Sequence, residues 1–272
     1  MENKILKPTN DLIFKLIFGD NRNIDILASF LQSVLNLPES EYSHLTIVDP
    51  YTRIEKINDK TSILDVKLHT KSGKIIDIEI QVSDVPQMKE RIVFYTAKMI
   101  TEQVGKGDNY NLKKVISIVI TDYKIITENE SYHNVYQLYD KNTNSKFTDV
   151  LEINTLELPK LPSETDNSSL WNWLRFLKAD REEELTMLAQ KSPEIYKAVG
   201  VLKELSQDER TKLLYESREK AMRDERARLQ GAIENRNKEI VQKALSMGMC
   251  LEDISELTNL SLEEIKTIAN EQ

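Results

Sequence analysis

Three side chains able to do oxygen and amide chemistry share one face of a short alternating stretch: Asp65, Glu79 and Gln81. Thirteen residues separate the two acids. Leu64, Val66 and Leu68 alternate with Asp65, Lys67 and His69, and Ile76, Ile78, Ile80 and Val82 alternate with Asp77, Glu79 and Gln81. Alternation with a period of two marks strands with one face buried. Gly73 suits the left-handed position of a three-residue loop, Lys71-Ser72-Gly73, closing a hairpin. That loop pairs Thr70 with Lys74, Lys67 with Asp77, and Asp65 with Glu79. A two-residue Ser72-Gly73 loop would set Asp65 beside Ile80 and mix polar with apolar. A slip of one residue turns every side chain to the wrong face, so the pattern selects the three-residue loop.

Two carboxylates so placed can share a divalent cation, since Mg²⁺ takes oxygen ligands from one or two carboxylates, water and phosphate. An ion held there can activate a water and neutralise charge growing on a phosphodiester. The same residues also read as a solvated sheet face with a Lys67–Asp77 cross-strand pair. Spacing alone leaves both readings open.

The surrounding chain supplies the elements that must position this hairpin. Thr9 or Asn10 can cap a helix through Phe18, ended by Gly19, with Asp11 and Lys15 on one helical face. A second helix runs from Ile24 to about Leu37, stopped by Pro38, with an apolar stripe at helical spacing. Thr46 to Lys56 reads as the first strand, bent at Asp49-Pro50. After the hairpin, Pro86 opens a helix reaching about Val104, whose polar side carries Lys89, Arg91 and Lys98. Arg91 reads equally as a solvated arginine paired with a local acid such as Glu90.

Val115 to Thr121 is nearly all apolar, as in a central strand buried on both faces. Strands follow at Val135–Tyr139 and Phe147–Leu158, separated by the turn residues Asp140 to Ser145. Strand, hairpin, helix and strand in that order predict an α/β core with a mixed sheet. His69 reads as a surface residue near the turn.

The polar stretch from Pro159 to Ser169 reads as a linker or boundary, followed by helices at Leu170–Ala179, Glu182–Lys191 and Pro193–Leu205. A mixed-charge helix from about Gln207 to Asn237 suits solvent or a partner better than nucleic acid. The last segment has a helix-turn-helix layout. Its final helix opens with Glu263 and Glu264, which would repel phosphate where a recognition helix should attract it. Packing or oligomerisation fits this module better than DNA reading, and a homodimer through the C-terminal helices is the arrangement it would allow. The expected organisation is 1–160 as the core, 161–205 as a helical extension, 206–238 as the charged helix and 239–272 as the small C-terminal module.

The 272 residues carry a net charge of −8 with a sequence pI near 5.2, which argues against a broad basic nucleic-acid face. Any DNA-binding groove must therefore be local. With Cys250 as the single cysteine, an intramolecular disulfide and a cysteine-based zinc site are excluded. The N-terminus lacks the apolar run of a signal peptide and no stretch reaches membrane-spanning length, so the expectation is a cytoplasmic protein with no membrane partner.

Asp65, then Glu79-Ile80-Gln81 on a hairpin, resembles the core of the PD-(D/E)XK nuclease superfamily. More narrowly, the chain resembles the PD-(D/E)XK family transposases, also called recombination-promoting nucleases or putative transposases. The matching residues include Pro8 to Gly19, Ser62 to Lys67, Asp77 to Gln81, Arg91 with Tyr95, and Gly107 with Tyr110. The resemblance implies a restriction-endonuclease-like core with a mixed central sheet flanked by helices, followed by an all-α C-terminal region. It implies a Mg²⁺- (or Mn²⁺-) dependent endonuclease that cleaves double-stranded DNA in connection with recombination. Asp65 and Glu79 would hold the metal with the Ile80 carbonyl, and Gln81 would position the attacking water or the scissile phosphate. Asp11, Lys67 and Arg91 would support them. Two residues depart from the superfamily pattern: Leu64 precedes Asp65 where the name has proline, and Gln81 stands where the wider superfamily carries lysine. A glutamine orients by hydrogen bonds but brings no charge, so the cation would come from Lys67, Lys15 or Arg91. A second reading keeps the fold as a non-enzymatic interaction or regulatory module.

Overall fold

The computed structural model describes residues 5–48, 66–107 and 109–270. The chain divides into two compact units, Met1–Tyr215 and Glu216–Gln272.

The first unit is built on a six-stranded sheet ordered β1-β2-β3-β4-β6-β5. Its strands are β1 (Thr46–Val48), β2 (Val66–His69), β3 (Ile75–Gln81), β4 (Val115–Thr121), β5 (His133–Tyr139) and β6 (Lys146–Glu157). Strands β1, β2 and β3 pair antiparallel, β3, β4 and β6 pair parallel, and β5 returns antiparallel on β6. The sheet is therefore mixed, as the order of predicted elements required. Every residue of β4 is buried, in keeping with its unbroken apolar run at the centre of a covered sheet.

Helices α1 (Asp11–Phe18), α2 (Ile24–Val34), α3 (Met88–Thr101), α4 (Ser169–Lys178), α5 (Glu182–Ala189) and α6 (Pro193–Gln207) complete the unit. Asn10 opens α1, its side chain accepting the Leu12 N–H, so the cap expected at Thr9 or Asn10 falls on Asn10. The main core joins α1, α2, α4, α5 and α6 to the sheet face carrying Leu68, Ile76, Ile78, Ile80, Ile116, Ile118 and Ile120. Within it the rings of Phe14, Phe18, Phe30, Trp173 and Phe176 meet at centroid distances of 4.6 to 6.1 Å. Such tilted and edge-on contacts suit the ring quadrupoles and add to the area each ring buries. On the opposite face α3 packs Met88 and Ile92 against Val119 and Ile153.

The proline-bearing stretch after β6 is anchored. Leu158–Lys160 forms a 3-10 turn, Leu161 is buried, and the Lys160 ammonium and Glu157 carboxylate meet at 3.1 Å with both side chains fully buried. Lys160 also donates to the backbone carbonyls of Ile126 and Asn129, and Glu157 accepts the N–H groups of Ile125 and Ile126. This pair ties the loop after β4 to the end of β6.

The hairpin turn has the geometry its sequence demands. The Thr70 N–H donates to the Lys74 carbonyl at 3.0 Å, and Gly73 sits at φ +84°, where a Cβ would be strained. A residue distant in sequence clamps this turn. Glu41, in a 3-10 helix spanning Glu39–His44, accepts from the Thr70 hydroxyl at 2.6 Å, the Ser72 hydroxyl at 2.9 Å and the Lys74 ammonium at 2.6 Å. The Lys74 ammonium, then the Thr70 hydroxyl, pull its carboxyl from the usual 4.5 down to about 2. A carboxyl that titrates lower folded than unfolded stabilises the fold above about pH 4.5, and that contribution drains as pH falls toward 2. Glu41→Gln is expected to cost about 1–2 kcal/mol at neutral pH once solvent screening at the turn is allowed for. It should also flatten the loss of stability below pH 4.5 relative to wild type, as read by denaturant unfolding across a pH series.

The second unit begins within α7 (Glu209–Ser246), a helix of 38 residues. It continues through α8 (Leu251–Thr258) and α9 (Leu262–Asn270). Val241, Ala244, Ile254 and Ile265 form its core. Asn259 adopts the left-handed conformation between α8 and α9, and Ser261 and Glu264 exchange hydrogen bonds in a capping box at the start of α9. Glu264 is thus explained by capping. Among the described residues no helix is long and apolar enough to cross a membrane.

Candidate active site

The alternation along β3 decides which side chains reach the site. Ile76, Ile78 and Ile80 enter the main core, which sends Asp77, Glu79 and Gln81 to the face covered by α3. The pairing of β2 with β3 is the predicted one, with Lys67 opposite Asp77 and Val66 opposite Ile78. Asp65, the other acid of the expected pair, lies outside the described residues.

The rotation of α3 is fixed by its buried side. Thr96 is fully buried; its hydroxyl donates to the Ile92 carbonyl at 2.7 Å and meets the Ser117 hydroxyl of β4 at 2.7 Å. With Met88, Ile92 and Thr96 held against the sheet, residues 91, 95, 98 and 102 follow one another at helical spacing along the edge that faces β3.

Hairpin and helix enclose a cleft of about 160 Å³ lined by Lys67, Asp77, Glu79, Arg91, Tyr95, Lys98, Met99 and Glu102. The Glu79 side chain is only 13% exposed, and the Arg91 guanidinium approaches its Oε1 to 3.6 Å. The Gln81 amide donates to that same oxygen. Arg91 lies over the Tyr95 ring, 5.1 Å from its centroid, which steadies the guanidinium without consuming its donors. The Arg91 Nε is buried with no hydrogen-bond partner among the described residues. Lys67, the strand partner of Asp77, also reaches across the cleft to Glu102 at 3.8 Å. Behind the site, burial and then the charge of Asp84, with a further push from Glu79, raise the Tyr123 hydroxyl to about 12.

The structure thus brings together four of the residues singled out from sequence: Lys67, Glu79, Gln81 and Arg91. Ile80 turns its side chain into the core. Asp11 does not line the cleft; its carboxylate accepts the Leu12 N–H at the start of α1. Sequence reasoning gave Asp77 only a cross-strand pairing with Lys67 and Lys98 only a place on the polar side of its helix, and assigned nothing to Glu102 or Tyr123. Strand alternation places Asp77 on the Glu79 face, and spacing from Arg91 places Lys98 and Glu102 along the helix edge, so those signals were present. Tyr123 gave no signal, since a turn residue after a buried strand carries no periodicity.

Lys67, Arg91 and Lys98 balance Asp77, Glu79 and Glu102 among the described lining residues. In a chain of net charge −8, the charges of these described lining residues therefore cancel. The cleft's donors suit a hard divalent cation, since the carboxylates of Asp77 and Glu79 open onto one small polar cleft. Among the described residues no group of three His, Cys, Asp or Glu side chains forms a metal site.

No curated protein and no solved structure matches the chain. A family model, that of the PD-(D/E)XK nuclease family transposases, matches residues 8–232. That span holds the mixed sheet, the acid-bearing hairpin and the helix that covers it, and the chain belongs to the PD-(D/E)XK nuclease family transposases.

Proposed function

We propose that the protein is a metal-dependent DNA endonuclease of the recombination-promoting type, with its reaction centre in the Glu79 cleft. The observation that supports this most is the convergence on Glu79: a shielded carboxylate met by the Gln81 amide and the Arg91 guanidinium from two different elements. Asp65 and Glu79 would hold Mg²⁺ or Mn²⁺, with the Ile80 carbonyl as a further oxygen donor. When bound, the ion supplies Lewis acidity toward the phosphodiester and lowers the pKa of a bound water.

The chain's own groups do the positioning. Gln81 orients the attacking water or a phosphate oxygen by hydrogen bonds, in place of the lysine of the wider superfamily. Arg91, held by the Tyr95 ring, and Lys67 offer positive charge to the phosphate as negative charge grows in the transition state. Asp11, at the start of α1, is the supporting acid. The substrate is double-stranded DNA, and a homodimer through the C-terminal helices would present two such clefts for cutting both strands.

A second reading has an observation of its own. Glu79 already has an amide and a guanidinium on one oxygen, the arrangement of an internally satisfied polar cluster in a fold kept for protein interaction. Ion binding to the folded state separates the two, since it raises the melting temperature by mass action. Under the nuclease reading, Mg²⁺ or Mn²⁺ at about 100 times its dissociation constant stabilises the wild type by about 2.7 kcal/mol. Asp65→Ala and Glu79→Ala should abolish that shift. An unchanged melting temperature for wild type across millimolar Mg²⁺ and Mn²⁺ would favour the interaction module.

A further inference from the structure

Beyond the cleft, α3 carries two aromatic rings outward. Phe94 is 64% exposed and Tyr95 36%, and their rings meet edge to face at 5.4 Å. A single exposed apolar side chain is ordinary. This pair is set apart by its neighbours. Arg91 lies over the Tyr95 ring at 5.1 Å, and the Lys98 side chain, one turn beyond Phe94, is 57% exposed and only loosely paired with Glu102 at 3.8 Å. At about 100° per residue, positions 91, 94, 95 and 98 fall within roughly 100° of helix arc. Cation, ring, ring and cation thus lie along one strip whose inner edge is the Glu79 cleft.

Alternating rings and cations suit nucleic acid that has left its helix. Rings stack on exposed base faces without regard to sequence, while the cations track the backbone. Bases inside an intact duplex are stacked on each other and present no face to a side-chain ring. An unpaired base leaves the stack at the least cost, which is one source of selectivity in enzymes that engage extruded bases.

We propose that Phe94, braced edge to face by the Tyr95 ring, forms a stacking platform for one unstacked DNA base beside the scissile phosphate, with Arg91 and Lys98 on the flanking phosphates. The preferred substrate class is then duplex DNA bearing an unpaired base, such as a bulge, over uniform duplex. This inference rests on the nuclease reading of the Glu79 cleft, and two readouts keep the fates of the two ideas apart.

The first readout is binding in chelator, with duplexes carrying 2-aminopurine either in a one-base bulge or fully paired. Wild type should quench the bulged probe and prefer it by about tenfold, the scale of one stacked base. Phe94→Ala should bring the preference close to one, and Phe94→Trp, which retains a ring, should keep it. Because Phe94 is mostly solvent-exposed, both variants should keep the wild-type circular dichroism and melting temperature. The second readout is cleavage of the same duplexes with Mg²⁺, in which the bulged-to-paired rate ratio should follow the binding ratio. Equal affinity of wild type for both probes, or a preference that survives in Phe94→Ala, overturns the platform. Intact binding preference without cleavage overturns the nuclease reading and leaves the platform standing.

Discussion

Glu79→Gln is expected to lower the rate of Mg²⁺-dependent DNA cleavage by about 10³-fold, the scale on which a preorganised electrostatic contact acts in a water-poor site. The substitution keeps the shape of the side chain and removes only its charge. Its structural cost should be small. The Arg91 contact it disturbs is a loose one at 3.6 Å with the guanidinium partly open to solvent, which puts it at about 1 kcal/mol, and the variant keeps an oxygen for the Gln81 amide. Single-turnover cleavage of a labelled duplex, beside a thermal melt of the same preparation, checks both halves. A large loss of rate with an unchanged melt is the signature of a group acting on the reaction. Rates within about tenfold of wild type would remove Glu79 from the chemistry.

Lys160→Met is expected to destabilise the first unit by about 3–5 kcal/mol, the cost of leaving one partner of a buried ion pair uncompensated. Glu157 and Lys160 are both wholly buried, and Glu157 cannot turn to solvent without giving up the Ile125 and Ile126 N–H groups it accepts. For a unit of this size that corresponds to a fall in melting temperature of about 2–4 °C per kcal/mol. Adding Glu157→Gln to Lys160→Met removes the stranded charge and keeps an oxygen for the two N–H groups. The double variant should therefore recover a substantial part of the loss. Calorimetry of wild type, single and double variants tests this, and a Lys160→Met protein as stable as wild type would show that the pair carries no such penalty.

The hairpin and its register were legible because alternation of period two and a glycine at one turn position leave a single consistent pairing. The same holds for β4, whose run of apolar residues has no soluble alternative to burial; the cap of α1 was legible only as Thr9 or Asn10, and the fold selects Asn10. What escaped the sequence are contacts between residues far apart in the chain. Glu41 clamps Thr70 across 29 positions, and nothing in the composition around Glu41 distinguishes it from a surface acid. Lys160 stands in a stretch whose proline and polar residues read as a linker, because local composition reports exposure on average and cannot show a buried partner. The charged helix expected to end near Asn237 continues to Ser246. No proline interrupts it, and Gly231 alone costs only about 1 kcal/mol in a helix interior. At the site, strand alternation delivered Glu79, Gln81 and Lys67 to one face and the register set Lys67 opposite Asp77 as expected, whereas the contact of Lys67 with Glu102 comes from the packing of α3 and carried no local signal. The expected strand bend at Asp49-Pro50 and the pairing of Asp65 with Glu79 lie outside the described residues.

The most direct test of the account is cleavage of supercoiled plasmid by the purified protein, with Mg²⁺ and with chelator, beside Asp65→Ala. The account predicts nicking or linearisation that requires the metal and disappears in the variant. Folded wild-type protein that leaves the plasmid intact under Mg²⁺ and Mn²⁺, or an Asp65→Ala protein that cuts as wild type does, would contradict it.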